Sequence, residues 1–495
     1  MIAVRGRNWV IRGRLPRSMR DRLLVEVDFV EEEAYWEWDT TLQKNQRVVN
    51  LHKGTEIIDL GVPSADGLVF PRCSFSVEEM RKAGFDVREP SSFTPPVWKE
   101  LQEIGERIQM RPGVQEEALA SLMKNDGGFV MLAPGKGKTV IALKAAAMWG
   151  QKTLVFVDNG GLYTQWIERV REFWGLSDAD IGAVQGPIEK WAWESHPICV
   201  AMFDSFHNQF TQGRVPPDFF SSFGTVIWDE AQLAKAPTRA PTLSLFPGRR
   251  MGLSATPGRD GSEEILYHHI GRPEVIDLKS DLTPACHFVA VPMNEAPKIP
   301  AWGGGMTVYG KMLSACLGTA KKEPDFLYYA KLRSLLEGLL EEGRRTIAII
   351  ARTRSGRMLE DQIEDMVFID QEVGFRVRGR ELNRTDLVGV TPQIGERALD
   401  RKNLDTLVMA FPVGRKAIDR AQQAAGRVLR ACDGKSTPRV YVLFPDIPAG
   451  RSLAQSNEAI FEELGYHIAT PASRRIDIPR NRVKPRPKPV PRRLK

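Results

Sequence analysis

The chain has 495 residues, 42% hydrophobic and 26% charged, enough for two or three domains with their own cores. No run approaches the roughly 18 apolar residues of a membrane helix, and the N-terminus MIAVRGRNWVIRGR lacks the apolar stretch of a secretory leader. The net charge of +7 is set by the end of the chain: Arg474 to Lys495 hold ten Lys/Arg and one acid, a balance of +9, which leaves −2 for the remaining 473 residues. The basic balance describes a tail, so it says little about nucleic-acid binding by the folded body.

Residues 1–100 mix short apolar stretches such as LLVEVDF with turn signals and end at the Pro-containing run Glu89–Pro96, a plausible linker. An α+β accessory domain fits them. From 108 to 280, the runs GFVMLA, TLVFVD, ICVAMF, TVIWDE and MGLSAT alternate with helical stretches. From 284 to 450, the runs TIAIIA, LVGVT, TLVMAF and VYVLF do the same. Such alternation predicts two α/β domains in tandem, each a parallel sheet with helices on both faces. From 474 onward alternating Pro and Lys/Arg cannot build a core, which predicts a disordered basic tail. Cys73, Cys199, Cys286, Cys316 and Cys432 form no C-x-x-C pair, so buried, reduced thiols are expected rather than a zinc site or disulfides.

The strand GFVMLA runs into Pro134-Gly135-Lys136-Gly137-Lys138-Thr139 and then a helical stretch ending at Gly150. Strand, Gly-rich turn and helix start are what a phosphate loop requires. Glycines let the backbone wrap an anion, and the helix N-terminus aims amides at it. Lys138 is expected on the β and γ phosphates and the Thr139 hydroxyl on Mg2+. Leu132 stands where the general pattern has its first glycine. Alone, the segment is also compatible with a Gly/Lys-rich surface turn.

Further on comes Thr225-Val-Ile-Trp-Asp-Glu-Ala-Gln232, an apolar run ending in two carboxylates. ATP hydrolysis needs such a pair at a strand edge beside the phosphate loop. Asp229 is expected to hold Mg2+, and Glu230 to orient and deprotonate the attacking water.

These residues resemble the motifs of superfamily 2 helicases. DEAQ is similar to the DEAD/DEAH box, and Gly252-Leu-Ser-Ala-Thr256 resembles motif III, which implies that Ser254 and Thr256 couple the ATP and nucleic-acid sites. Arg111-Pro-Gly-Val-Gln115 resembles the R-P-x-Q element that reads adenine, which implies Gln115 as the reader. Gln423-Ala-Ala-Gly-Arg427-Val-Leu-Arg430 matches motif VI, which implies catalytic roles for Gln423, Arg427 and Arg430, the two arginines, about one helical turn apart, serving the γ-phosphate. Thr391-Pro-Gln393 to Asp400 stands where motif V is expected, with Thr391 and Gln393 toward nucleic acid and Asp400 toward the nucleotide. Leu154 to Trp166 resembles motif Ia of the XPB-like and UvsW-like branch, including phage branch-migration helicases. It implies phosphate contacts from Asn159, Gly160 and Gln165, with Asp158 in place of the usual proline. Ile198 to Phe206 resembles motif Ib, with Ser205 as the contact.

The resemblance covers about 108–450 and implies two RecA-like domains, ATP and Mg2+ as cofactors, and a monomer in the cytoplasm of a bacterium or phage-infected cell. The partner it implies is DNA, forked or branched, R-loops included. Residues 1–100 would be an accessory DNA-binding domain. Three other readings stay open: a double-stranded DNA translocase that never separates strands, an RNA helicase, and a nucleic-acid-binding protein with a decayed motor. Trp191 and Trp193 are expected in packing rather than under bases. The segment Ala301–Met306 is expected as a surface loop, with a strand-separating loop as the alternative, and the tail is expected to contact DNA.

Overall fold

Alternating residues of the central runs fall into two different hydrophobic cores, so each sheet is buried on both faces. The computed structural model describes residues 2–5, 8–39, 44–65, 67–88, 97–235, 239–255, 262–278, 282–294, 297, 305–370, 385–392, 403–413, 437–472 and 492–493. Two compact units divide it, one of 1–30, 53–278 and 485–495, the other of 31–52 and 279–484.

The N-terminal module contains β1 (Ile2–Arg5), β2 (Asn8–Arg12), α1 (Arg17–Asp21), β3 (Leu24–Asp39), β4 (Lys44–Asp59), β5 (Val62–Ser64), β6 (Gly67–Pro71), α2 (Val77–Lys82) and β7 (Asp86–Arg88). Five of these strands form a mixed sheet in the order β5-β6-β2-β1-β7. The stretch LLVEVDF, read as short, is the beginning of a 16-residue strand paired with an equally long β4. The core holds Trp9, Phe70, Met80 and Phe85, and it also takes in Ala240 and Ile265 of the first α/β region. Polar contacts reinforce that shared core: the Cys73 amide donates to the His268 carbonyl (2.9 Å), and Ser74 Oγ lies 2.9 Å from His268 Nδ1. Burial pushes the His268 ring down to about 4, so it is neutral at ordinary pH. In the tail, Arg492–Arg493 pair in parallel with Ile58 and Asp59; positions 474–491 lie outside the described residues.

The first α/β region runs α3 (Lys99–Arg107), α4 (Val114–Asn125), β8 (Gly128–Leu132), α5 (Lys138–Trp149), β9 (Thr153–Val157), α6 (Gly160–Trp174), β10 (Ile181–Val184), β11 (Ile198–Met202), α7 (Phe203–Thr211), α8 (Pro217–Ser222), β12 (Thr225–Trp228), β13 (Arg249–Ser254), α9 (Glu263–Ile270) and β14 (Ile276–Asp277). Its seven strands are parallel, in the order β10-β11-β9-β12-β13-β8-β14. Val130, Leu132, Val155 and Val157 face one core and Phe129, Met131, Leu154 and Phe156 the other. That two-sided burial explains why the strands read as continuous apolar runs. At the edges the runs are short: β10 is Ile181–Val184 and β14 only Ile276–Asp277.

The second region runs β15 (Ala285–Val291), α10 (Gly305–Leu317), α11 (Phe326–Glu341), β16 (Thr346–Ile349), α12 (Thr353–Gln362), β17 (Met366–Ile369), β18 (Leu387–Val390), β19 (Thr406–Met409), β20 (Arg439–Pro445), α13 (Pro448–Glu463) and β21 (His467–Thr470). Again seven strands are parallel, in the order β17-β18-β16-β19-β20-β15-β21. The sheet therefore continues past 450, because β21 pairs with β15 at its edge. Of the segment 301–306, positions 301–304 lie outside the described residues, and Gly305 already begins α10.

Cys199, Cys286 and Cys316 are buried, and burial pushes the Cys199 and Cys286 thiols up to about 12. Cys73 departs from the expectation: its residue is exposed beside α9, with Sγ 3.6 Å from the His269 carbonyl. Cys432 lies outside the described residues. Among the described residues no helix is long and apolar enough to cross a membrane.

Candidate nucleotide site

The register of the first sheet brings four strand ends to one edge. Trp228 is paired with Phe156 and Gly252, and Ser254 with Met131, so the residues that follow β8, β9, β12 and β13 emerge together. Ligands collect at this C-terminal edge of a parallel sheet.

Leu132, in the place of the pattern's first glycine, is fully buried as the last residue of β8. The turn begins only after it. The Ala133 amide donates to the Asp277 carbonyl of β14 (2.7 Å), and the Lys136 amide donates back to Ala133 (3.3 Å). Gly135 and Gly137 both sit at φ +84, a left-handed conformation suited to glycine. A Cβ on Gly137 would lie 2.3 Å from Gln115 Nε2. From Gly137, α5 starts with its first amides facing the loop, a ready anion site. Lys138 Nζ is folded back onto the Leu132 carbonyl (2.9 Å), and the Lys136 ammonium pairs with Asp277 (3.3 Å).

Gln115 is buried, and both ends of its amide meet backbone: Nε2 donates to the Lys136 carbonyl and Oε1 accepts from the Arg111 amide, each at 2.8 Å. It thus braces the phosphate loop, a role its motif does not announce. Arg111 itself is exposed.

β12 delivers the acidic pair. The Asp229 amide donates to the Phe156 carbonyl (3.0 Å), which fixes the strand end against β9. Asp229 Oδ2 accepts from the indole N–H of buried Trp166 (2.8 Å), and Oδ1 accepts from the Glu230 amide (3.0 Å). An edge of Asp229 stays open, yet its carboxyl is enclosed deeply enough that burial pushes it up, to about 6. The Glu230 charge adds to that rise, while Trp166 and then Lys138 oppose it. Glu230 has φ +48, a left-handed conformation uncommon for a side chain of its size. Its Oε2 accepts from Gln232 Nε2 (2.6 Å), whose Oε1 in turn accepts from Ser254 Oγ (2.7 Å). A continuous relay therefore joins the acidic pair to the end of β13.

The donor set suits Mg2+. The Thr139 hydroxyl and the Asp229 carboxylate are hard oxygens on adjacent edges of the loop and strand, and no group of three or more His, Cys, Asp or Glu able to hold a metal occurs among the described residues. Mg2+ keeps waters and takes phosphate oxygens rather than filling a protein cage.

Asn159, Gly160, Gln165 and Ser205, expected to grip nucleic acid, lie on the helices that follow β9 and β11 of this sheet. Asn159 Oδ1 caps α6, accepting from the Gly161 and Leu162 amides at 3.0 Å, and Gly160 is exposed with open space around it. Gln165 is half-buried on the same helix. Ser205, in the first turn of α7, accepts from the Gly186 amide (3.0 Å). In the second sheet Thr391 follows β18, and its buried hydroxyl has no partner among the described residues. Thr256, Gln393, Asp400, Gln423, Arg427 and Arg430 lie outside the described residues. Trp191 and Trp193 pack on Phe206, Phe219 and Phe223, as expected of core aromatics.

Sequence reasoning passed over Trp166, Gln232 and Asp277. Only Trp166 carried a signal, since a buried indole N–H needs an acceptor. Asp277 became visible through the pairing of β14 with β8, and Gln232 through its side-chain bonds to Glu230 and Ser254.

Residues 107–259 match the family described as type III restriction enzyme, res subunit. The chain is 25% identical over 360 residues to a Haloarcula marismortui protein named as the DNA 3'-5' helicase Rad25, covering 70% of this chain and 54% of that one. It is 23% identical over 352 residues to the helicase D10 of Escherichia phage T5, covering 68% of this chain and 72% of that one. The chain thus spans about half the length of the first of these relatives. In fold it is similar to Saccharomyces cerevisiae Dbp5 bound to RNA and ADP BeF3, with a TM-score of 0.55 at 12% identity, over 76% of this chain and 94% of that one. Two tandem parallel-sheet domains of this kind are the RecA-like motor fold. Over about two thirds of its length the chain thus resembles helicases of superfamily 2, on the XPB-like branch.

Proposed function

We propose that the protein is an ATP-hydrolysing DNA motor that unwinds or remodels forked and four-way DNA, R-loops included. The observation that carries this reading is the relay Glu230–Gln232–Ser254: it runs from the acidic pair beside the phosphate loop to the segment that motif III occupies. ATP chemistry and nucleic-acid contact are the two events such a link serves. The names of the relatives add the 3'-5' direction of travel.

The side chains act as follows. Lys138 leaves the Leu132 carbonyl for the β and γ phosphates, and the amides at the start of α5 hold the rest of the anion. Glu230 accepts a proton as water oxygen attacks the γ-phosphorus and the bond to the ADP oxygen breaks. Thr139 and Asp229 would hold Mg2+, which would supply charge neutralisation on the phosphates. Gln115 reads the adenine and keeps the loop's shape, with Arg111 on the same element of the nucleotide site. Arg427 and Arg430 stabilise the transferring phosphoryl group, with Gln423 and Asp400 on the nucleotide. Asn159, Gly160, Gln165, Ser205, Thr391 and Gln393 hold backbone phosphates, which gives little sequence preference and a steep salt dependence.

The test is ATPase stimulation and strand displacement on single strands, duplex, forks, four-way junctions and R-loops, at two salt concentrations. Lys138→Ala and Glu230→Gln are expected to abolish stimulated hydrolysis. Normal turnover by either variant would sink the site. Triplex displacement without strand separation would favour a double-stranded translocase instead.

A further inference from the structure

Arg239 precedes the 3-10 turn Ala240–Ser244, on the segment that follows the acidic pair, and no motif covers it. Its guanidinium makes three contacts at once. One nitrogen reaches Asp158 Oδ1 (2.6 Å), another reaches Asp204 Oδ1 (3.0 Å), and the carbon lies 4.6 Å from the centroid of the Phe203 ring. Asp158 is nearly buried, with 9% of its side chain exposed, whereas Asp204 is 69% exposed. The main chain of Arg239 is anchored as well, because its carbonyl accepts from Thr242 Oγ1 (2.6 Å).

The placement of the two carboxylates gives the contact its meaning. Asp158 immediately precedes Asn159 and Gly160, and Asp204 immediately precedes Ser205. Both acids therefore flank the residues assigned to the phosphate backbone. Unopposed, two negative charges there would repel a nucleic acid. The guanidinium offsets both, and a single planar fork does so more effectively than an ammonium, which cannot span two carboxylates and stack on a ring together. A hollow lined by Asp229, Glu230, Asp158, Phe203 and Arg239 lies beside this contact, which puts it next to the hydrolytic pair.

We propose that Arg239 is a positioning residue for nucleic-acid grip: it locks the Asp158–Gly160 loop to the start of α7 and ties both to the segment following the acidic pair. This rests on the reading of the chain as a DNA motor. The Arg239–Asp158 ion pair gives this loop rigidity that its own backbone does not supply.

The test uses the full chain as wild type, Arg239→Ala and Arg239→Lys. Affinity for a fluorescein-labelled single-stranded DNA is measured by anisotropy at two salt concentrations, and ATPase is titrated with the same strand. Arg239→Ala is expected to raise both the Kd and the half-stimulating DNA concentration about tenfold, well beyond any fall in DNA-independent ATPase. Arg239→Lys, which keeps the charge but loses the bridge, is expected near threefold, as an order-of-magnitude estimate. Binding by Arg239→Ala within about twofold of wild type overturns the proposal, as does a loss of binding that merely follows a lowered melting temperature and a matching loss of DNA-independent ATPase. A wild-type protein that neither binds the strand nor is stimulated by it overturns the motor reading itself, a result visible before any Arg239 variant is made.

Discussion

Replacing Trp166 by Phe keeps the aromatic bulk of α6 and deletes one hydrogen bond, the indole N–H to Asp229 Oδ2 at 2.8 Å. A hydrogen bond to a charged acceptor contributes about 1.5–3 kcal/mol, and 1.36 kcal/mol is one pKa unit, so the Asp229 carboxyl should rise by about one unit or more. It already sits at about 6, raised by burial and by Glu230. Protons and Mg2+ compete for the same ionised carboxylate, so activity is lost as pH falls through that value and the loss moves to higher pH in the variant. For a rise to about 7, the half-saturating Mg2+ concentration should increase roughly fivefold at pH 6 and roughly twofold at pH 7, with almost no change at pH 8. The assay is a Mg2+ titration of DNA-stimulated ATPase at those three pH values. Identical Mg2+ curves for variant and wild type at pH 6 would refute the reasoning. The raised pKa also has a consequence for the metal-free protein: the protonated carboxyl favours the folded state, so Asp229 contributes stability that is fully present below its unfolded value and is lost as pH rises through about 6.

Ser254→Ala breaks the relay at its last link, a 2.7 Å bond to Gln232. The loss is about 1 kcal/mol, so strand displacement per ATP hydrolysed should fall roughly fivefold while hydrolysis itself falls less; equal losses in both would show that the relay does not couple them. Leu132→Gly restores the first glycine of the general phosphate-loop pattern but removes a fully buried core side chain. It should destabilise the protein by about 3–5 kcal/mol in denaturant unfolding, and a neutral result would mean that the loop starts earlier than the structure places it.

The phosphate loop, the acidic pair and the alternation of strands with helices were legible in the sequence because they are local. A glycine turn between a strand and a helix, or two acids at the end of an apolar run, is defined by neighbours in the chain. The edge strands β10 and β14 escaped because they are only four and two residues long. The N-terminal stretch was read as short elements because its acids, Glu26 and Asp28, interrupt the apolar pattern of a strand that runs unbroken from Leu24 to Asp39. Alternation of polar and apolar residues is equally the mark of a strand with one solvated face.

The sequence by itself determined that Lys138, Asp229 and Glu230 exist at strand ends of one parallel sheet. Tertiary structure decided what surrounds them. Trp166 on Asp229, Asp277 against the loop, Gln115 beneath Gly137, and Gln232 between Glu230 and Ser254 are set by strand order and register. The physical reason is that chain separation carries no information on spatial neighbours until the sheet has closed. In this sheet, β8 lies between β13 and β14, and that arrangement brings the ends of distant segments into one site.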